Sequence, residues 1–155
     1  GLGGGGRAWG DQARVPRSGA TRTRAGEGAP GVDGRETRDD HGGAARVAAA
    51  ARGLVLEHLQ SNHGGEMVDA IHGARGRCAG IVVNPGAFTH YAWAIHDALA
   101  AFEGPVVELH LSNPAAREPW RHTSVVAPVA AGTIAGFGGA GYRMAVEAVA
   151  DLLDG

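Results

Sequence analysis

The sequence predicts an α/β domain: a parallel sheet with helices on both faces, in a three-layer α/β/α sandwich. Three observations point there. From about residue 45 onward, strand-like and helix-like segments alternate. The strand-like segments are continuous apolar runs rather than alternating ones, as expected of strands buried on both faces. The length, 155 residues with 44% apolar side chains, suits one domain with a sizeable core.

The elements follow in order. Residues 44–52, with six alanines and two arginines, read as the last turns of a helix ending at Gly53. Leu54-Val55-Leu56-Glu57-His58-Leu59 reads as a strand, and Glu66 to Ala74 as a short amphipathic helix carrying Met67, Ala70 and Ile71. Gly80-Ile81-Val82-Val83-Asn84 is a buried strand stopped by Pro85-Gly86. A helix through Trp93, Ile95 and Leu99 comes next, then strands at Pro105–Ser112 and Gly132–Phe137. The chain closes with a helix in which Tyr142, Ala145, Val146, Val149 and Leu153 keep helical spacing.

The first 45 residues differ in kind. Residues 1–50 hold only five larger apolar side chains (Leu2, Trp9, Val15, Val32 and Val47) and 13 of the 27 glycines. Such a segment buries too little apolar surface to offset its ordering entropy, so disorder is expected there. The predicted division is a Gly/Arg-rich disordered or aberrant segment over 1–45 and an α/β domain over 46–155.

Composition narrows the function. The net charge of −2 argues against nucleic acid or an anionic membrane as the main partner. No apolar run approaches the roughly 20 residues of a membrane helix, and no targeting signal is readable. A single cysteine, Cys78, excludes an internal disulfide and suits a cytoplasmic enzyme. All 14 basic residues are arginine, which rules out a lysine Schiff base.

In an open α/β sheet the site lies outside the carboxyl ends of the strands. Three polar clusters fall there: Gln60-Ser61-Asn62-His63; Asn84-Pro85-Gly86-Ala87-Phe88-Thr89-His90; and His110-Leu111-Ser112-Asn113, followed by Arg117 and Arg121. Strand alternation puts Glu108, His110 and Ser112 on one face. A carboxylate two residues from a histidine can hold the ring and favour its charged form, the arrangement wanted for a general acid. Other signals carry less. Gly136-Phe137-Gly138-Gly139-Ala140-Gly141 matches the dinucleotide fingerprint, but too few residues follow for the second strand and acid that such a site needs. Tight strand-to-helix packing explains it better. His90 and His96 do not stack on one helical face, so neither a metal nor a cofactor is expected.

Read together, these motifs resemble the type II 3-dehydroquinate dehydratases, small enzymes of the shikimate pathway and aromatic amino acid biosynthesis. The matching segments are Gln60-Ser61-Asn62-His63 with Gly65-Glu66; Asn84 to His90; Asp97-Ala98; Glu108 to Asn113; Arg117-Glu118 with Arg121-His122-Thr123-Ser124; and Gly136-Phe137-Gly138 with Gly141-Tyr142. They run in family order from about residue 53 to 153. The resemblance implies a flavodoxin-like fold, a homododecamer built from trimers, and a hydro-lyase that eliminates water from 3-dehydroquinate through an enolate, giving 3-dehydroshikimate. It makes His110 the general acid, oriented by Glu108. Asn84 would hold the substrate and stabilise the enolate. Leu111 and Ser112 would receive the substrate carboxylate, and His90 and Arg121 the ring hydroxyls. Asp97 matches an aspartate brought across a subunit contact, and Arg117 belongs to the same polar network.

The departure lies at the start. The family opens with a buried central strand and then a lid bearing an arginine and the tyrosine that takes the C2 proton. Residues 1–50 contain no tyrosine and no asparagine. Leu54–Leu59 is therefore expected to lack its usual strand neighbour, and proton abstraction to be slowed. The chain opens on Gly1 and its first methionine is Met67. Residues 1 to about 45 are accordingly expected to be a frame-shifted, misassembled or wrongly started version of the native end. Two alternatives to the dehydratase stand: a catalytically silent relative that binds a polyhydroxy carboxylate without the tyrosine base, and a scaffold using only the oligomeric surface.

Overall fold

The structure, a computed structural model, describes residues 10–16 and 39–155. Among the described residues, five strands and four α-helices follow in the order β1 (Gly10–Pro16), α1 (Asp39–Ala51), β2 (Glu57–Ser61), α2 (Gly64–Ala74), β3 (Cys78–Asn84), α3 (Trp93–Ala100), β4 (Val106–His110), β5 (Gly132–Ala135) and α4 (Ala140–Asp154). The strands form one sheet in the order β2-β1-β3-β4-β5. That is the strand order of the flavodoxin-like doubly wound sheet, and the three layers agree with the expected α/β/α sandwich.

The two faces are read directly from strand alternation. Ile81 and Val83 of β3 and Val106 of β4 join Met67, Ile71, Ile95 and Leu99 in the core under α2 and α3. Val82, Val107 and Leu109 point the other way, onto Ala45, Ala49, Tyr142, Ala145, Val146 and Val149 of α1 and α4. Each fully buried aliphatic side chain stabilises the fold by about 1.5–3 kcal/mol. Cys78 lies in the first of these cores.

One expectation about the N-terminal part is corrected. Gly10–Pro16 forms a strand between β2 and β3, so β2 does not lack a neighbour. The segment was not readable because Gly10-Asp11-Gln12-Ala13-Arg14-Val15-Pro16 has one large apolar side chain and no apolar period. Its place comes from backbone pairing. The sheet is parallel through β3, β4 and β5, but β1 runs antiparallel to both neighbours. Of the residues expected to be disordered, 1–9 and 17–38 lie outside the described residues; 10–16 and those from Asp39 onward have regular structure. Asp39–Ala51 extends the predicted helix toward the N-terminus.

Boundaries elsewhere shift by a few residues. Leu54 and Leu56 precede β2 and pack against the α1/α4 core rather than extending the strand. The link from β4 to β5 has no α-helix. It runs through short 3-10 turns at Pro114–Ala116, Pro119–Arg121 and Ala127–Val129, each with proline in its first turn, where the missing N–H has no partner to lose. Val125 and Val126 of this link are buried in the α2/α3 core and pin it down.

Candidate active site

The site forms where β3 and β4 end. Glu108, midway along β4, is fully buried. A carboxylate there is tolerated only when its lone pairs are filled, and they are. Oε1 accepts hydrogen bonds from the Thr89 hydroxyl, from Ser124 Oγ at 2.8 Å and from His110 Nε2 at 2.7 Å. Thr133, its register partner on β5, donates to Oε2 at 3.4 Å. Burial pushes the Glu108 carboxyl up, but the bonds from His110, Thr89 and Ser124 outweigh it and leave the group below its ordinary 4.5. Glu108 is therefore an ionised acceptor. His110, itself nearly buried, is held through Nε2, as the shared strand face predicted.

Asn84 closes β3 beside this pair of residues and is buried. Both ends of its amide are fixed: Oδ1 accepts from the Gly86 N–H and Nδ2 donates to the Tyr142 hydroxyl, each at 3.2 Å. The turn that follows, Gly86–His90, carries Thr89 inward and His90 outward. His90 Nδ1–H donates to the Thr123 carbonyl at 2.7 Å, and its ring meets Trp120 edge-to-face with centroids 5.3 Å apart. Arg121 lies over the same indole, 4.0 Å from its centroid, while Glu118 accepts from Arg121 Nε. Trp120 thus touches both residues expected to hold ring hydroxyls. Arg117 donates through Nη1 to Ser112 Oγ at 3.3 Å.

The loop from β5 to α4 wraps the end of β4. The Gly136 and Gly138 amides donate to the carbonyls of His110 and Leu111. Gly136 has φ +95° and Gly138 φ +58°, a region that side chains disfavour. At Gly141 a Cβ would lie 2.7 Å from Leu109 Cδ1. The glycine-rich string therefore serves close packing of α4 on β4. Among the described residues, no three His, Cys, Asp or Glu side chains gather to hold a metal.

Not every expected residue joins the cluster. Asp97, four-fifths exposed on α3, pairs with its neighbour His96 at 2.9 Å, and no described hydrogen bond ties it to Glu108 or His110. Ser61 and His63 are tied up locally instead: Ser61 Oγ accepts from the His63 N–H and donates to Glu66. No site role was given to Thr89, Ser124, Thr133 or Tyr142 from sequence, although Thr89, Ser124 and Tyr142 stood inside matched motifs. Thr133 becomes visible only once β4–β5 register is known.

The chain has counterparts among known proteins. The family model described as dehydroquinase class II matches residues 18–150. The chain belongs to the class II dehydroquinase family. A protein named 3-dehydroquinate dehydratase 2 from Pseudomonas putida is 54% identical over 124 residues, covering 80% of this chain and 83% of its own. A 3-dehydroquinate dehydratase from Halalkalibacterium halodurans is 49% identical over 138 residues, covering 89% and 93%. Among solved structures, the type II dehydroquinase from Propionibacterium acnes superposes with a TM-score of 0.65 at 38% identity, over 74% of this chain and 85% of that one. As a class II dehydroquinase the chain has its polar cluster at the strand ends where open α/β sheets carry their sites.

Proposed function

We propose that this protein is a hydro-lyase of the shikimate pathway, converting 3-dehydroquinate to 3-dehydroshikimate by anti elimination of water through an enolate. The observation that carries this is the buried Glu108 holding His110 at the mouth of the sheet, in a chain about half identical to proteins named 3-dehydroquinate dehydratase.

His110 is the general acid. Its Nε2 is committed to Glu108, so Nδ1 delivers the proton to the departing C1 hydroxyl. Glu108 orients the ring and balances its charge. Asn84, its amide fixed at both ends, holds the substrate and stabilises the enolate oxygen through a water. The backbone amides of Leu111 and Ser112 receive the substrate carboxylate. The Ser112 hydroxyl accepts from Arg117, which leaves its own proton for that carboxylate. His90 and Arg121 hold the ring hydroxyls with Trp120 as their common support. Asp97, exposed beside the exposed Tyr91 and Trp93, acts across a contact between subunits of a trimer-based dodecamer in the cytoplasm.

These residues supply the acid half of the elimination. The C2 proton goes in the family to a lid tyrosine. Residues 1–50 hold no tyrosine; Tyr91 is exposed against Phe88, and Tyr142 is buried behind Asn84. A positioned base is worth roughly 10²–10⁴-fold, so turnover below that of tyrosine-bearing relatives by up to that factor is expected.

The test is turnover of 3-dehydroquinate by the purified chain, followed by ultraviolet absorbance of the conjugated enone. His110→Ala should lower it roughly 10²–10⁴-fold. No enone formation by folded protein, or a rate indifferent to His110, overturns the reading.

A further inference from the structure

Ser124 lies in the link between β4 and β5 and takes no part in the elimination as described, yet its hydroxyl is fully wired. The backbone N–H groups of Val126 and Ala127 donate to Ser124 Oγ at 3.1 and 2.9 Å. A hydroxyl has two acceptor sites and one proton, so both acceptor sites are taken and the proton must be donated. Two acceptors stand within reach: Glu108 Oε1 at 2.8 Å and Thr89 Oγ1 at 2.8 Å. The Thr89 hydroxyl itself rests on Glu108 Oε1, and a carboxylate can only accept. Whichever neighbour takes the Ser124 proton, the chain of donors ends on Glu108.

The other end of that chain is rigid. Val125 and Val126 are buried in the α2/α3 core, and the Val125 N–H donates to the Thr89 carbonyl at 2.7 Å. The packed core thereby fixes the oxygen, and the oxygen fixes the carboxylate. We propose that Ser124 is a positioning residue: a backbone-anchored hydroxyl that, directly and with Thr89, holds Glu108 as the charged acceptor that orients the His110 ring. Among the described residues, the titratable side chain against Glu108 is His110, on the same strand. The turn after β3, the Ser124 link and β5 contribute the neutral hydroxyls of Thr89, Ser124 and Thr133.

The kinetic part rests on the dehydratase reading, so a readout that needs no turnover accompanies it. In the full chain, Ser124→Ala should lower kcat roughly 10–100-fold, the worth of a hydrogen bond to a charged group. KM should change little, because Ser124 does not meet the substrate. The acid limb of the kcat profile should move to higher pH, and Ser124→Thr should restore both. In ¹³C-labelled protein, the Glu108 carboxyl titration should move up in Ser124→Ala and return in Ser124→Thr. An unmoved Glu108 titration in Ser124→Ala overturns the proposal, as does a loss shared equally by the threonine variant, which would mark simple packing. Should Ser124→Ala fail to fold, Thr89→Val removes the companion hydroxyl at similar volume, and the same shift is expected. Absence of turnover in the unmutated chain would sink the dehydratase reading, while the Glu108 titration still decides the role of Ser124.

Discussion

Replacing Glu108 by glutamine separates its charge from its shape. The carboxylate accepts three bonds on Oε1 and one from Thr133 on Oε2. An amide fits in one orientation: its oxygen takes the Oε1 place, and its NH₂ faces the Thr133 hydroxyl, which can turn to accept. The reverse orientation would set an NH₂ against three donors. In the favoured one every bond survives but loses charge assistance, about 1–1.5 kcal/mol each. The bond that matters to the reaction is the one to His110, so kcat should fall roughly tenfold. Weakening of the other bonds is offset by no longer burying a charge, so the melting temperature should hold nearly constant. Glu108→Ala is different. Thr89 and Ser124, 2.8 Å apart, can satisfy one another, but about two polar groups stay unpaired, at roughly 1–3 kcal/mol each. For a chain of this size that lowers the melting temperature by about 5–20 °C. Enone-forming assays and thermal unfolding of both variants test the argument. Unchanged kcat in Glu108→Gln, or equal melting of the two variants, would refute it.

Three further outcomes follow from the same structure. Glu108 titrates below its ordinary 4.5, so its stabilising contribution is fully present above that value and is lost as pH falls through the lower folded-state value; acid unfolding of Glu108→Gln should lack this component. Gly141→Ala would place a Cβ 2.7 Å from Leu109 Cδ1, on a side chain with no exposed surface to yield into. Overpacking of about 1–3 kcal/mol should exceed the helix-propensity gain of about 1 kcal/mol, and thermal unfolding should show a net loss. Trp120→Ala removes the indole from both His90 and Arg121. An exposed cation–π contact is worth about 0.5–1 kcal/mol, so KM should rise a few-fold with kcat retained, and a fall in kcat alone would count against this placement.

What could be read in advance follows the range of each signal. The apolar run of β3 and the 3.6-residue period of α4 are local, and both elements stand where expected. The period of two put Glu108 and His110 on one face without any structure. The ends of β2 and β4 were less legible, because apolar residues continue past the last ladder pair: Leu54 and Leu56 before β2, Leu111 after β4. Gly10–Pro16 was invisible, since a strand held by its two neighbours needs backbone pairing and no apolar period of its own.

The sequence by itself determined the α/β layers, the family, and the polar residues at the strand ends, because periodicity and motif spacing act over a few residues. Only the tertiary structure decided how those residues combine. Thr89, Ser124 and Thr133 lie 19, 16 and 25 residues from Glu108, and the amide of Asn84 is set by Tyr142, 58 residues away. A buried carboxylate draws its donors from whatever the sheet and its crossovers place beside it. That choice is made by register and core packing, which no local pattern in the chain records.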